Sequence, residues 1–128
     1  MRVRKNITAD ELKCKCGDHA CNATILTYEP VLDIVQNTCD HFADILGVDK
    51  VTLRITSAAR CFTYNRKIGS NGNSQHPRCR AIDFTIDGVS NQDVQAYLLT
   101  EYPDTLGIGS YETFTHVDSR PVRARWHG

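Results

Sequence analysis

The sequence predicts an α+β domain: a small, mainly antiparallel sheet with two main helices. Three observations lead there. Two stretches repeat apolar residues every three to four positions, as amphipathic helices do. Four or five short segments alternate apolar and polar residues or carry strand-forming types, as half-buried strands do. The later segments are joined by connections of hairpin length, which favours antiparallel pairing in an α+β arrangement.

The totals fit one globular domain. A chain of 128 residues can bury a core without needing disulfides or metal to fold. Its 41% hydrophobic and 23% charged residues are ordinary for such a protein. Lys+Arg and Asp+Glu are both 15, and this balance argues against a nucleic-acid partner. No apolar run follows the basic start Met1-Arg2-Val3-Arg4-Lys5, so neither a signal peptide nor membrane insertion is expected. The expectation is a single domain over residues 1–128, acting as a monomer, with the cysteine-containing segment 1–24 packed on it.

Thr8 and Glu11 have capping-box spacing and predict a helical turn over 9–13, followed by a loop through Cys14, Cys16 and Cys21. Pro30 suits a first helical turn. After it Val31, Ile34, Val35, Thr38, Cys39, Phe42, Ile45 and Leu46 make one apolar stripe, and Gly47 ends the helix. His41 lies off that stripe and reads as a surface residue. Val51 to Thr56 alternates as a strand. Thr63 to Gly72 reads as a helical turn and then a loop dense in turn formers, which delivers His76.

Ala81 to Ile86 is the next strand, with Ile82, Phe84 and Ile86 towards the core and Asp83 and Thr85 on the other face. Ser90 caps a second helix with Asp93 in its first turn; Val94, Tyr97, Leu98 and Tyr102 give its apolar face, and Pro103 stops it. Leu106 to Tyr111 and Phe114 to Asp118 read as two strands joined by a short turn, with a last edge strand over 122–126.

The stretch Ser74-Gln75-His76-Pro77-Arg78-Cys79-Arg80-Ala81-Ile82-Asp83-Phe84 carries the chemistry. It pairs His76 with Asp83 at the entrance to a strand, and His116 follows on a later one. Two imidazoles, one carboxylate and a bound water make an open, catalytic zinc site, whereas a structural site closes with four protein ligands. The same donors tolerate other divalent metals. The six cysteines are even in number and permit disulfides in fifteen pairings. A second zinc site from Cys14, Cys16, Cys21 and His19 is the alternative, though its spacing is not that of a zinc ribbon.

Several of these residues recur in one order: Ile55-Thr56-Ser57-Ala58-Ala59-Arg60, Tyr64-Asn65, Ser74-Gln75-His76, Ala81-Ile82-Asp83, Gly107-Ile108-Gly109 and His116-Val117-Asp118. In this the chain resembles the zinc D-alanyl-D-alanine carboxypeptidases, in their short branch of bacterial and phage cell-wall peptidases, whose fold hedgehog domains share. The resemblance runs from about Ile7 to Trp126. It implies His76, Asp83 and His116 as the ligands of Zn2+, Arg60 as the group that holds a carboxylate or polarises a carbonyl, and Ser74 as support for the metal-binding loop. It further implies hydrolysis of amide bonds in peptidoglycan stem peptides, either removing a terminal D-alanine or cutting inside the stem between L-alanine and D-glutamate. With no leader expected, an endolysin made in the cytoplasm of a bacteriophage host and released to the cell wall fits, as does a virion-associated enzyme.

The sequence departs from the family pattern twice. Cys79 replaces the motif glycine, so a local adjustment or a bridge is expected, with Cys61 the favoured partner. Thr113 stands where several branches place the catalytic glutamate. Amide hydrolysis still needs a carboxylate to move the proton of water. Glu112 and Asp118 share strand parity with His116; Asp118 is favoured, either as that base or as the acceptor that fixes the imidazole tautomer. A catalytically silent metal-binding recognition module of the same fold is the alternative reading.

Overall fold

The computed structural model describes residues 2–8, 12, 29–57 and 81–128. Strands β1 (Arg2–Arg4) and β2 (Ile7–Thr8) form a small antiparallel ribbon that the sequence pattern did not suggest. Helix α1 (Glu29–Leu46) follows, then β3 (Leu53–Ser57), β4 (Ala81–Ile86), helix α2 (Asn91–Glu101), β5 (Gly107–Ser110), β6 (Thr115–Asp118) and β7 (Ala124–His127). The five later strands form one sheet in the order β3-β4-β6-β5-β7. All neighbours are antiparallel except β5 and β7, which run parallel. Two helices and a mainly antiparallel sheet make the expected α+β fold.

The core fills one face of this sheet. Ile82, Phe84 and Ile86 of β4, Val117 of β6 and Ile108 of β5 pack with Val31, Val35, Cys39 and Phe42 of α1 and Val94 and Leu98 of α2. The apolar stripe of α1 is as expected as far as Ala43. It then fails: Ile45 is 62% and Leu46 48% exposed. The periodicity continues, but the last turn stands clear of the layer it would cover. The helix ends in a Schellman motif, with Gly47 at φ 68°, Gly47 N–H on the Asp44 carbonyl and Val48 N–H on the Ala43 carbonyl. Ile7 and Leu12 are fully buried in the same core. The ribbon is tied to α1 by Asn6, whose amide pairs with the Gln36 side chain while its Nδ2 donates to the Val51 carbonyl.

Helix α2 begins as the sequence predicts, with Ser90 Oγ accepting from Asp93 N–H at 3.1 Å. Its buried Gln95 was not among the expected core residues. Gln95 Nε2 lies 3.0 Å from the Tyr111 carbonyl, 3.4 Å from that of Phe114 and 3.2 Å from Thr115 Oγ1, so the amide pins the β5–β6 turn to the helix. The last strand starts two residues later than expected, leaving Val122 74% exposed. It is an edge strand, as expected, and pairs parallel to β5. The chain steps over the end of β5: Leu106, at φ 66°, donates to the Arg120 carbonyl and accepts from Ala124 N–H. The expected turn over 9–13, apart from Leu12, and the expected helical turn and loop over 63–72 lie outside the described residues.

Candidate metal and catalytic site

Strand pairing sets one row across the sheet: Ser57 opposite Asp83, Asp83 opposite His116, His116 opposite Gly109, and Gly109 opposite Trp126. Directly opposed residues share a face, and alternation puts this row on the face away from Ile82, Ile108 and Val117. The next row of that face holds Ala81, Asp118, Gly107 and Ala124. Asp83 and His116 come from distant parts of the sequence, and register alone makes them neighbours.

His116 Nδ1 lies 2.8 Å from Asp83 Oδ1, and its Nε2 lies 2.8 Å from Asp118 Oδ2. All three side chains are buried. Asp118 is fully so and is bound on both oxygens. Oδ1 accepts from Gly107 N–H at 3.1 Å, Arg120 N–H at 3.2 Å and Arg120 Nε at 2.7 Å; Oδ2 accepts from Arg120 Nη2 at 2.8 Å. Burial works against the Asp118 charge, but the hydrogen bonds from His116 and Arg120 outweigh it and hold the carboxyl well below the usual carboxylate range. Burial likewise opposes charging His116, and its bonds to Asp118 and Asp83 outweigh that, keeping the imidazole above its ordinary value.

An imidazole and a carboxylate presenting one nitrogen and one oxygen to each other are borderline donors that suit zinc. A carboxylate on the other imidazole nitrogen is the usual partner of a metal-bound histidine. The donor set therefore fits a divalent metal held from the Asp83 side of the ring. Among the described residues no group of three or more such side chains converges on one point. The third expected ligand, His76, lies outside them, as do Arg60, Ser74, His19 and Cys14, Cys16, Cys21, Cys61 and Cys79. The expected Cys61–Cys79 bridge and the cysteine zinc site therefore fall outside the described residues as well.

Of the two candidate bases, Asp118 is on the strand beside His116. Glu112 is exposed in the β5–β6 turn, before the strand begins at Thr115, so the parity argument stops short of it. Its backbone carbonyl accepts from Asn91 Nδ2 at 2.9 Å. Two neighbours of the site were not anticipated. Arg120 continues the alternation of His116 and Asp118, a signal the sequence does carry. Trp126 stands with its ring centroid 5.0 Å from that of His116, although nothing local ties the two.

Compared with known families, residues 5–118 match Peptidase M15. The chain belongs to the Peptidase M15 family. The match takes in β2–β6 and both helices, including Asp83, His116 and Asp118, and leaves β1 before its start and Arg120 and Trp126 beyond its end. Membership of Peptidase M15 makes this a peptidase chain and agrees with the resemblance drawn from its motifs. Comparison with curated proteins and with solved structures returned no match. Among the described residues of this Peptidase M15 chain no helix is long and apolar enough to cross a membrane.

Proposed function

We propose that the protein is a zinc-dependent peptidase that hydrolyses amide bonds in peptidoglycan stem peptides, as a D-Ala-D-Ala carboxypeptidase or an L-Ala–D-Glu endopeptidase. The observation that carries this reading is the 2.8 Å approach of Asp83 Oδ1 to His116 Nδ1, with Asp118 on the far nitrogen, in a Peptidase M15 chain. In this reading His76, Asp83 and His116 hold the metal. Zinc, when bound, supplies a water of pKa about 7 and polarises the scissile carbonyl.

The protein's own groups do the rest. Asp118 is an orienting acceptor: His116 Nε2–H donates to its Oδ2, which turns the Nδ1 lone pair towards the metal. Its oxygens are engaged by Arg120 and Gly107 N–H, which disfavours the role of mobile base. Glu112 is the acid left to move the proton from water to the leaving amine, from a turn held by Asn91 and Gln95. Arg60 binds a substrate carboxylate or carbonyl. A role in phage lysis or in the virion follows from the same family resemblance.

The second reading, a silent metal-binding module, draws on Thr113 at the position of the family glutamate. Incubation with a defined muropeptide ending in D-Ala-D-Ala separates the two. Chelator-sensitive cleavage, with the lost mass naming the bond, is expected. No cleavage of muropeptide or intact cell wall by zinc-loaded protein would leave the module.

A further inference from the structure

Strand β7 lies beyond the segment that matches the family, yet it brings a large side chain to the site. Gly109, opposite both His116 and Trp126, has no side chain between them. A Cβ there would fall 2.6 Å from Trp126 Nε1, 2.8 Å from its Cε2 and 2.9 Å from Tyr111 Cε2. The indole lies over this bare backbone and reaches across one strand to the imidazole, at 54° between ring planes. Its own orientation is fixed, because Nε1–H donates to Tyr111 Oη at 2.9 Å and Tyr111 stacks on Phe114 at 4.3 Å. Arg120, which grips Asp118, sits 5.3 Å from the indole centroid. His116, Asp118, Arg120 and Trp126 thus close a circuit of contacts.

We infer that Trp126 is a positioning residue for the His116 imidazole. Bonds at Nδ1 and Nε2 fix the ring within its own plane. Neither resists tilting about the line that joins the two nitrogens. A ring packed against the imidazole does resist it, and by backing Arg120 it also keeps Asp118 in place. This inference rests on the reading of His116 as a metal ligand.

Co2+ is a suitable probe, and Trp126 is the single tryptophan of the chain. Titrating the whole wild-type protein with Co2+ should quench its tryptophan emission, and chelator should restore it. Trp126→Leu should weaken Co2+ binding about tenfold, as loss of an orienting neighbour does. Trp126→Phe, which keeps a ring against the imidazole, should bind near the wild-type level. Unchanged emission at stoichiometric Co2+ would overturn the inference, and so would Trp126→Leu binding Co2+ with wild-type affinity and visible absorption. Should Trp126→Leu not fold, the wild-type quenching and the Trp126→Phe affinity decide. His116→Ala separates the premises. If it binds Co2+ as wild type does, the ligand reading fails; if it loses the metal while Trp126→Leu keeps it, only the positioning role fails.

Discussion

The carboxylate of Asp118 occupies the space that a Cβ on Gly107 would take. Gly107 is glycine for that reason, and its N–H is one of the donors holding the carboxylate. Gly107→Ala must displace Asp118 or bend β5. It should cost about 1–3 kcal/mol as an overpacked site. It should also lower metal affinity through His116. Urea unfolding and a metal titration on the same variant check both.

Arg120 is a permanently charged partner of the buried Asp118 carboxylate. Arg120→Ala leaves Asp118 with His116 and two backbone donors only, and should destabilise by about 3 kcal/mol. Arg120→Lys restores the charge but not the two-pronged grip, so it should recover only part of the loss. Replacing both partners, as Asp118→Asn with Arg120→Ala, should cost less than the sum of the single changes. Denaturant midpoints of the four proteins measure this coupling.

Gln95 is a buried amide that serves three acceptors of the β5–β6 turn. Gln95→Leu leaves those acceptors unpaired and should cost about 1–3 kcal/mol. The larger effect should be local. Hydrogen exchange should accelerate in 111–115 while β4 stays protected, and in a peptidase assay kcat should fall if Glu112 works from this turn.

Cys39 is buried in the core, and that burial, with the nearby Asp40 charge second, pushes its thiol up to about 12 from 9.0. In the folded state it stays a thiol at pH 8, so alkylation should reach it only in denaturant. The folded chain keeps a proton that the unfolded chain releases above pH 9. Its contribution to stability is therefore whole below about pH 9 and declines as pH rises towards 12. Peptide mapping after alkylation, with denaturation midpoints across that window for wild type and Cys39→Ala, tests both statements.

Local signals made much of this fold readable. Ser90 and Asp93 announce the start of α2 because a cap is a contact between residues three apart. Ile82, Phe84 and Ile86 announce the core face of β4 because alternation is a local property. The side of the sheet on which Asp83 lies follows from the same rule. Its neighbour His116 does not: their adjacency depends on the register of two strands far apart in sequence, and only their donor chemistry and the motif resemblance link the pair. The parallel placement of β7 was hidden for a similar reason. A short edge strand gives no clue to which neighbour it joins, so Trp126 stayed invisible as part of the site. Ile45 and Leu46 mark the opposite failure, where periodicity outlasts the surface it would pack on.

The opposition of Ser57 to Asp83 has an evolutionary consequence. Residues 58–80, which include Arg60, Ser74 and His76, join the end of β3 at Ser57 to the start of its immediate neighbour β4 at Ala81. The cost of bringing their ends together is met by the β3–β4 ladder and grows only by about 0.6 kcal/mol for each doubling of length. Insertions and exchanges there leave the β3–β4 ladder in place, and with it the Asp83–His116 pair of the adjoining β4–β6 ladder. Such a frame lets selection rewrite the sequence between the two strands without reopening the question of how the sheet folds.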